Sequence, residues 1–87
     1  MYKYSIYTEK KNQESIILIL KSYDLDFTLQ EGIGSFEGKT ENSLLLTIFN
    51  NEDLYPKLVK VIKEINSINS QVCSILTVEK LERFYFI

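Results

Sequence analysis

Leu54-Tyr-Pro-Lys-Leu-Val-Lys-Val-Ile-Lys-Glu-Ile-Asn-Ser-Ile68 carries the clearest periodicity in the chain. Apolar side chains recur at the spacing of an amphipathic helix, at positions 54, 58, 61, 62, 65 and 68. With Asp53 as N-cap, Pro56 becomes the third residue of the helix, where its missing N–H breaks no intrahelical hydrogen bond. The pattern predicts a helix that ends between Asn66 and Ser70 and buries one apolar face.

The segment before this helix, Ser43 to Phe49, alternates with the period of a strand. Leu44, Leu46 and Ile48 share one face, and Leu45 and Phe49 share the other. Two apolar faces indicate either a central strand or a solvent side that another subunit covers. Further back, Phe27 to Phe36 reads as a strand in which Gly32 and Gly34 mark a bulge, since Phe36 has the wrong parity for the face of Phe27. A turn from Glu37 to Asn42 joins the two strands.

The first third of the chain contains one ambiguous element. Tyr2 to Thr8 alternates as a strand. The apolar run from Ile16 to Leu20 suits a buried strand as well as a helix. We interpret Gln13 to Tyr23 as a helix because Asn12 can act as N-cap and because apolar side chains recur at helical spacing, at Ile16, Ile19, Leu20 and Tyr23.

After the second helix, Gln71 to Val78 is predicted to be the fourth strand. The segment from Leu81 to Ile87 ends in Phe84-Tyr-Phe-Ile87, and it is apolar enough to form a further strand, on the sheet edge or against a neighbouring chain. The element order β-α-β-β-α-β predicts one α+β domain over residues 1–87, a ferredoxin-like sandwich of an antiparallel sheet with two helices on one face.

Composition excludes several classes of function. The 87 residues allow one core, and the longest apolar run is too short to span a membrane. No signal peptide is evident, and the single Cys73 fits a reducing cytosol. The chain lacks His, the commonest general base, and its net charge of −2 argues against a general nucleic-acid binder.

The motifs that could bind a ligand are better explained as parts of turns and strands. Gly32-Ile-Gly-Ser-Phe-Glu-Gly-Lys-Thr40 resembles a phosphate-binding loop, but its glycine spacing is wrong and a strand follows it. The pairs Glu37/Glu41 and Asp24/Asp26 lack a third oxygen donor for a cation. Cys73 reads as a small buried residue within a strand. We therefore predict no catalytic, cofactor or metal site, and place the interaction candidates in the hairpin and the last segment: Phe36, Glu37, Lys39, Glu41, Phe84, Tyr85 and Phe86.

The stretch from Gln30 to Leu44, with Asn69-Ser-Gln-Val72 after the second helix, resembles small uncharacterised proteins of phages and conjugative elements. Those proteins share a G-x-aromatic-x-G-x-x-E-x-S-L hairpin, whose positions are met here by Gly34, Phe36, Gly38, Glu41, Ser43 and Leu44. The resemblance implies an origin in a mobile element and brings no established activity.

Ser35-Phe-Glu-Gly38 is also similar to a phrase in the Cas2 family, which has the same fold. Those proteins carry Asp at the end of the first strand, where this chain has Tyr7-Thr-Glu9, so the resemblance does not extend to nuclease chemistry. PII-like and CutA-like regulators share the fold but use a longer ligand-binding loop.

We expect a non-enzymatic protein that acts in the cytoplasm through protein–protein contacts, as a homodimer or higher oligomer. Within that class we expect an inhibitor of a host defence nuclease, of anti-CRISPR type. The alternatives are a Cas2-like protein that binds nucleic acid through Lys57, Lys60 and Lys63, and a PII-like regulator that binds a nucleotide at the glycine hairpin.

Overall fold

A computed structural model describes the backbone of residues 1–87 and every side chain except that of Phe36. Over these residues the chain forms β1 (Tyr2–Glu9), α1 (Gln13–Ser22), β2 (Thr28–Phe36), β3 (Lys39–Asn50), α2 (Tyr55–Asn69) and β4 (Ile75–Lys80). The strands form one antiparallel sheet in the order β2-β3-β1-β4. The ferredoxin-like prediction is confirmed.

Both helices pack on one face of the sheet, and the core lies between the two layers. The buried apolar side chains of β1 and β3 all have even numbers, and the helices contribute the apolar stripes predicted from sequence, except for Ile68, which is exposed. The run from Ile16 to Leu20 is helical, because Ile16 and Leu20 lie fully buried one turn apart. The main members of the core are Tyr4, Ile6, Ile16, Leu20, Leu44, Leu46, Ile48, Leu58, Val61 and Ile65.

Helix α2 begins differently from the sequence prediction. Its N-cap is Leu54 and Pro56 is the second residue of the helix. The buried Tyr4 hydroxyl lies at this start: it accepts a hydrogen bond from Leu54 N–H (3.0 Å) and donates to the carbonyl of Glu52 (2.9 Å). Asp53 accepts from the N–H of Tyr55 (3.0 Å) and so supports the first turn from outside the helix.

The hairpin between β2 and β3 has no bulge and a shorter turn than predicted. Its register is unbroken from Thr28 opposite Thr47 to Phe36 opposite Lys39. The turn consists of Glu37 and Gly38, with φ values of 50° and 77°, as in a type I′ hairpin turn. The predicted bulge at Gly32 and Gly34 is therefore wrong, because the strand keeps its parity and simply runs past the edge of the core.

The region after α2 also differs. Strand β4 begins at Ile75 rather than at Gln71, and Cys73 lies exposed in the preceding loop instead of buried in a strand. Residues 81–87 form no strand within this chain; the Leu81 N–H donates to the Met1 carbonyl (2.9 Å) and the segment then leaves the sheet edge.

Among the described residues, neither helix has the length and apolar character needed to cross a membrane.

Candidate functional site: the open face of the sheet

One face of the sheet carries the two helices, and the other face carries none. Side chains alternate between the two faces of a strand, and directly paired residues point to the same side. The strand register therefore places a defined set on this side, which we call the open face: Lys3, Ser5, Tyr7, Glu9, Thr28, Gln30, Gly32, Gly34, Lys39, Glu41, Ser43, Leu45, Thr47, Phe49, Ile75, Thr77 and Glu79.

Large apolar side chains stand exposed on the open face. Tyr7 is 43% exposed, Phe49 51% and Ile75 61%, and Leu45 beside them is half-buried. An antiparallel sheet with one solvated face normally alternates apolar and polar residues. This face departs from that rule, and grouped apolar surface is typical of a contact site.

The open face is built of rows that run across the strands. The Tyr7 row is large and apolar, with Ile75 and Leu45 on either side of Tyr7. The Ser5 row beside it is small and hydroxylic, with Thr77, Ser5, Thr47 and Thr28 in line. Ser5 is only 4% exposed and Thr47 9%, because the larger neighbouring rows rise above them. The face therefore has a ridge and, next to it, a trough.

The two outer rows also differ in the size of their side chains. The Lys3 row contains Glu79, Lys3 and the large Phe49, whereas the Glu9 row contains Glu9, Ser43 and the side-chain-free Gly32. The ammonium of Lys11 lies 3.0 Å from Glu9 Oε2, an oxygen that is covered from water. Each end of the face therefore carries a pair of opposite charges, Lys3 with Glu79 at one end and Glu9 with Lys11 at the other.

Gly32 and Gly34 make the Glu9 end of the face bare. Neither has a positive φ. A Cβ on Gly32 would meet Ser43 Oγ at an ordinary 3.4 Å, and one on Gly34 would meet nothing closer than the Glu41 carbonyl at 4.0 Å. Glycine inside a strand costs about 0.5–1 kcal/mol relative to alanine. The fold of one chain does not require these glycines, and glycine in a strand often marks close approach of another group.

The aromatic segment, residues 81–87, lies at the opposite end of the face. Phe84, Tyr85 and Phe86 line a cavity of about 130 Å³ with Met1 and Phe49. The rings of Phe84 and Phe86 meet edge to face, with centroids 5.8 Å apart, and all three aromatic side chains stay exposed. These three predicted interaction residues therefore adjoin the open face through Phe49.

The remaining interaction candidates lie far from that segment. Glu37 is in the hairpin turn, and Lys39 and Glu41 follow it at the start of β3; all three side chains are exposed. The side chain of Phe36 lies outside the described residues. Because β3 runs from Lys39 to Phe49 at about 3.4 Å per residue, roughly 34 Å separates the two candidate groups. The structure does not bring them into one site.

Sequence reasoning missed the ridge itself. The opposite parity of Leu45 and Phe49 indicated a second apolar face on one strand. That Tyr7 and Ile75 extend it depends on strand order and register, which the sequence did not specify.

A second polar feature, the polar cluster, lies where β1, α2 and the loop before β4 meet. Asn69 donates to Gln71 Oε1 (2.7 Å), as does Thr8 (2.9 Å), and Gln71 donates to Ser74 Oγ (3.1 Å). Asn12 donates to the carbonyl of Ile68 (3.0 Å) and to Asn69 Oδ1 (3.1 Å). The cluster uses its hydrogen-bonding groups internally, so it fixes the loop rather than presenting a ligand site.

Titratable groups provide little that resembles a catalytic site. The pKa of Tyr23 is raised above 10.0, first because of its hydrogen bond to Glu64 and then through desolvation and the Glu64 charge. That pair belongs to the helix layer, away from the open face. Within the described part of the chain, no group of three or more His, Cys, Asp or Glu residues is arranged to hold a metal ion.

Comparison with known proteins supports the fold. The structure is similar to the crystal structure of a DUF3240 family protein from Shewanella baltica OS155, with a TM-score of 0.76, 8% sequence identity, and coverage of 99% of this chain and 94% of that one. In all, 101 chains of solved structures match, and a fold so widely shared assigns no activity. No protein-family model and no curated protein matches the sequence.

Proposed function

We propose that this chain is a non-enzymatic binding protein that acts through protein–protein contacts made by the open face. The observation that carries the proposal is the exposed ridge of Tyr7, Leu45 and Ile75, extended by Phe49, on a sheet whose other face already completes the core. Fully burying one such side chain contributes about 1.5–3 kcal/mol. A partner that covers the ridge removes this apolar surface from water.

Rigidity supports the same function. Tyr7 and Leu45 of the ridge stand on β1 and β3, the two central strands, so hydrogen bonds on both sides hold their backbone, and Ile75 begins the edge strand β4 beside them. A contact surface that is already ordered loses little conformational entropy on binding. The open face is therefore preorganised for a partner of complementary shape.

Within this class, the more specific proposal is an inhibitor of a host defence nuclease, encoded by a phage or mobile element. Its support is the resemblance of the Gly34 to Leu44 hairpin to proteins of such elements, together with the lack of His. An inhibitor of this kind would act by occupying a surface of the nuclease, which requires a contact face and no catalytic group.

Site-directed photo-cross-linking tests the proposal in the cells that produce the protein. A benzophenone amino acid replaces Tyr7 on the open face in one variant and Tyr55 on α2 in the matched control, since both side chains are exposed tyrosines. We expect a protein adduct from position 7 and none from position 55. The proposal is overturned if position 7 gives no adduct, or if position 55 gives the same one. A nuclease in the adduct would support the specific proposal.

The competing function is nucleic-acid binding by α2, where Lys57, Lys60 and Lys63 are all exposed along one helix. Phosphate contacts of this kind weaken steeply with salt. Salt-dependent binding of duplex DNA that is lost when the three lysines are changed to Glu would favour it over the open-face proposal.

A further inference from the structure

We propose that the partner of the open face is a second copy of this chain, packed face to face. The two-fold axis lies between the two sheets and runs across the strands, parallel to the rows, at the level of Ile6. This inference rests on the proposed function, because it names the occupant of the same surface, and it excludes a nuclease as the occupant of that surface. It follows from the order of the rows, which the strand register defines.

The two-fold axis exchanges the rows in pairs. An axis at the level of Ile6 brings the Tyr7 row of one copy against the Ser5 row of the other, and the Lys3 row against the Glu9 row. Both contacts occur twice in the dimer, as in any isologous interface. Two sheets packed in this way lie about 10 Å apart, close enough for side chains from the two faces to interdigitate.

The shapes of the exchanged rows are complementary. The ridge of Ile75, Tyr7 and Leu45 meets the trough of Thr77, Ser5 and Thr47. At the ends of the face, the large Phe49 meets the low surface of Ser43 and Gly32, about 20 Å away along the strands in its own chain. A face-to-face pair related by an axis parallel to the strands would instead stack ridge on ridge.

On β1 the exchanged residues are opposite in charge, although within each chain Lys3 has Glu79 beside it and Glu9 has Lys11. On β1 the open face reads Lys3, Ser5, Tyr7, Glu9, and the two-fold places each Lys3 against Glu9 of the other copy. The same operation avoids setting Lys3 against Lys3 or Glu9 against Glu9. A second copy presents the same two residues, so the two-fold forms the Lys3–Glu9 contact twice. A different partner would need its own charges at matching positions.

The bare glycines and the aromatic segment acquire a role in the same arrangement. The aromatic segment rises beside Phe49 at the Lys3 end, and that end faces the Gly32 and Gly34 end of the second copy. Glycines that the single chain does not require leave space for these rings. A side chain at Gly32 would occupy that space without disturbing its own chain.

A charge-exchange cycle tests this arrangement by sedimentation equilibrium of the purified full chain. Lys3→Glu and Glu9→Lys each place like charges together at two sites of the dimer, and we expect each to weaken dimerisation by about tenfold or more. The double variant K3E/E9K restores both pairs and is expected to return to within about threefold of the unaltered protein. Lys60→Glu on the outer side of α2 is the control and leaves the dimer unchanged.

Rescue in the double variant cannot come from within one chain. Lys3 lies opposite Glu79 on the neighbouring strand, and Glu9 lies beside Lys11, so both changes add repulsion within the single chain. Melting temperatures measured at a dilution at which each variant is monomeric show whether that repulsion affects folding.

A second pair of variants tests the glycine contact. Gly32→Val fills the space on the open face, whereas Ser35→Val adds the same side chain to the opposite face of the same strand. We expect only Gly32→Val to weaken the dimer, with no fall in the melting temperature of either dilute variant.

Three results overturn the inference: an unaltered protein that stays monomeric at every concentration, single charge variants that dimerise normally, or a double variant that is not rescued. If position 7 still cross-links a different protein, the proposed function stands and only the identity of the partner is wrong. If position 7 gives no adduct and the chain is monomeric, both fail.

Discussion

Tyr4 joins the sheet to the start of α2 through a single hydroxyl. Its ring is part of the core, and its oxygen serves both the N–H of Leu54 and the carbonyl of Glu52. The alternation of β1 predicts that Tyr4 points inward. It cannot predict the role of the hydroxyl, because the backbone groups that it contacts lie about fifty residues further along the chain.

Replacing Tyr4 by Phe is expected to lower the free energy of unfolding by about 1–3 kcal/mol, because the buried N–H of Leu54 loses its acceptor. Urea denaturation measures the change. Tyr2→Phe on the same side of β1 is the control, since the Tyr2 hydroxyl makes neither of these backbone contacts, and it should change stability by only a few tenths of a kcal/mol. Equal effects of the two variants would contradict the role assigned to Tyr4.

Residue-level prediction from sequence succeeded where local chemistry dominates and failed where distant contacts do. A turn was expected after Phe36, and the turn forms there with Gly38 at a positive φ. Asn12 is the N-cap of α1, as expected, but its side chain makes no capping hydrogen bond. Asn12 takes a left-handed conformation with φ of 51°, and its amide donates to the end of α2, which lies within hydrogen-bond distance only in the folded chain.

At the scale of elements, the contact of Asn12 ties the start of α1 to the end of α2. The Asn12 amide donates hydrogen bonds to the Ile68 carbonyl and to Asn69 Oδ1. The Asn69 amide in turn donates to Gln71 Oε1 in the loop before β4. This loop was predicted to be the start of a strand. Side-chain hydrogen bonds to Thr8 and Asn69 hold this loop, and backbone pairing with β1 begins only at Ile75.

Two substitutions at Asn12 separate its backbone role from its side-chain role. Asn12→Gly tolerates the left-handed backbone but lacks the amide hydrogen bonds. Asn12→Ala lacks the amide hydrogen bonds and also disfavours the left-handed backbone. We expect Asn12→Ala to be less stable than Asn12→Gly by about 1 kcal/mol, and both to be less stable than the unaltered chain. Thermal unfolding measures the order. An Asn12→Ala variant as stable as Asn12→Gly would show that the backbone conformation does not matter.

The strands and helices themselves were predictable because their periodicities are long and regular. The stripe of α2 and the alternation of β3 each extend over several repeats, and both elements form as predicted. Boundaries were less predictable. The hairpin extends past the core to a turn at Glu37 and Gly38, where hydrogen bonds of the ladder continue without apolar side chains to mark them.

At the scale of the whole molecule, the fold followed from element order, whereas the candidate site did not. A βαββαβ chain has few ways to cover both helices with one antiparallel sheet. The open face depends on which residues of four strands stand side by side, a property of register. The sequence indicated surplus apolar surface on β3, and the structure adds Tyr7 from β1 and Ile75 from β4 to the same ridge.

The exposed apolar surface of the open face also changes which residues are the best candidates for a contact site. The aromatic rings of Phe84 to Phe86 adjoin the open face at Phe49, whereas Glu37, Lys39 and Glu41 project beyond the core at the other end of the sheet. The central ridge, which was not among the candidates, has the better claim to be the contact surface because it is apolar, exposed and built on strands of the sheet.

Hydroxyl-radical footprinting tests most directly whether the open face is covered when the protein acts. Oxidation of side chains is compared between the dilute purified chain and the protein in the cells that produce it, and Tyr55 on α2 reports general access. We predict that Tyr7 and Phe49 are oxidised readily in the dilute chain and protected in cells, while Tyr55 reacts equally in both. Equal oxidation of Tyr7 and Phe49 in the two samples would contradict the account.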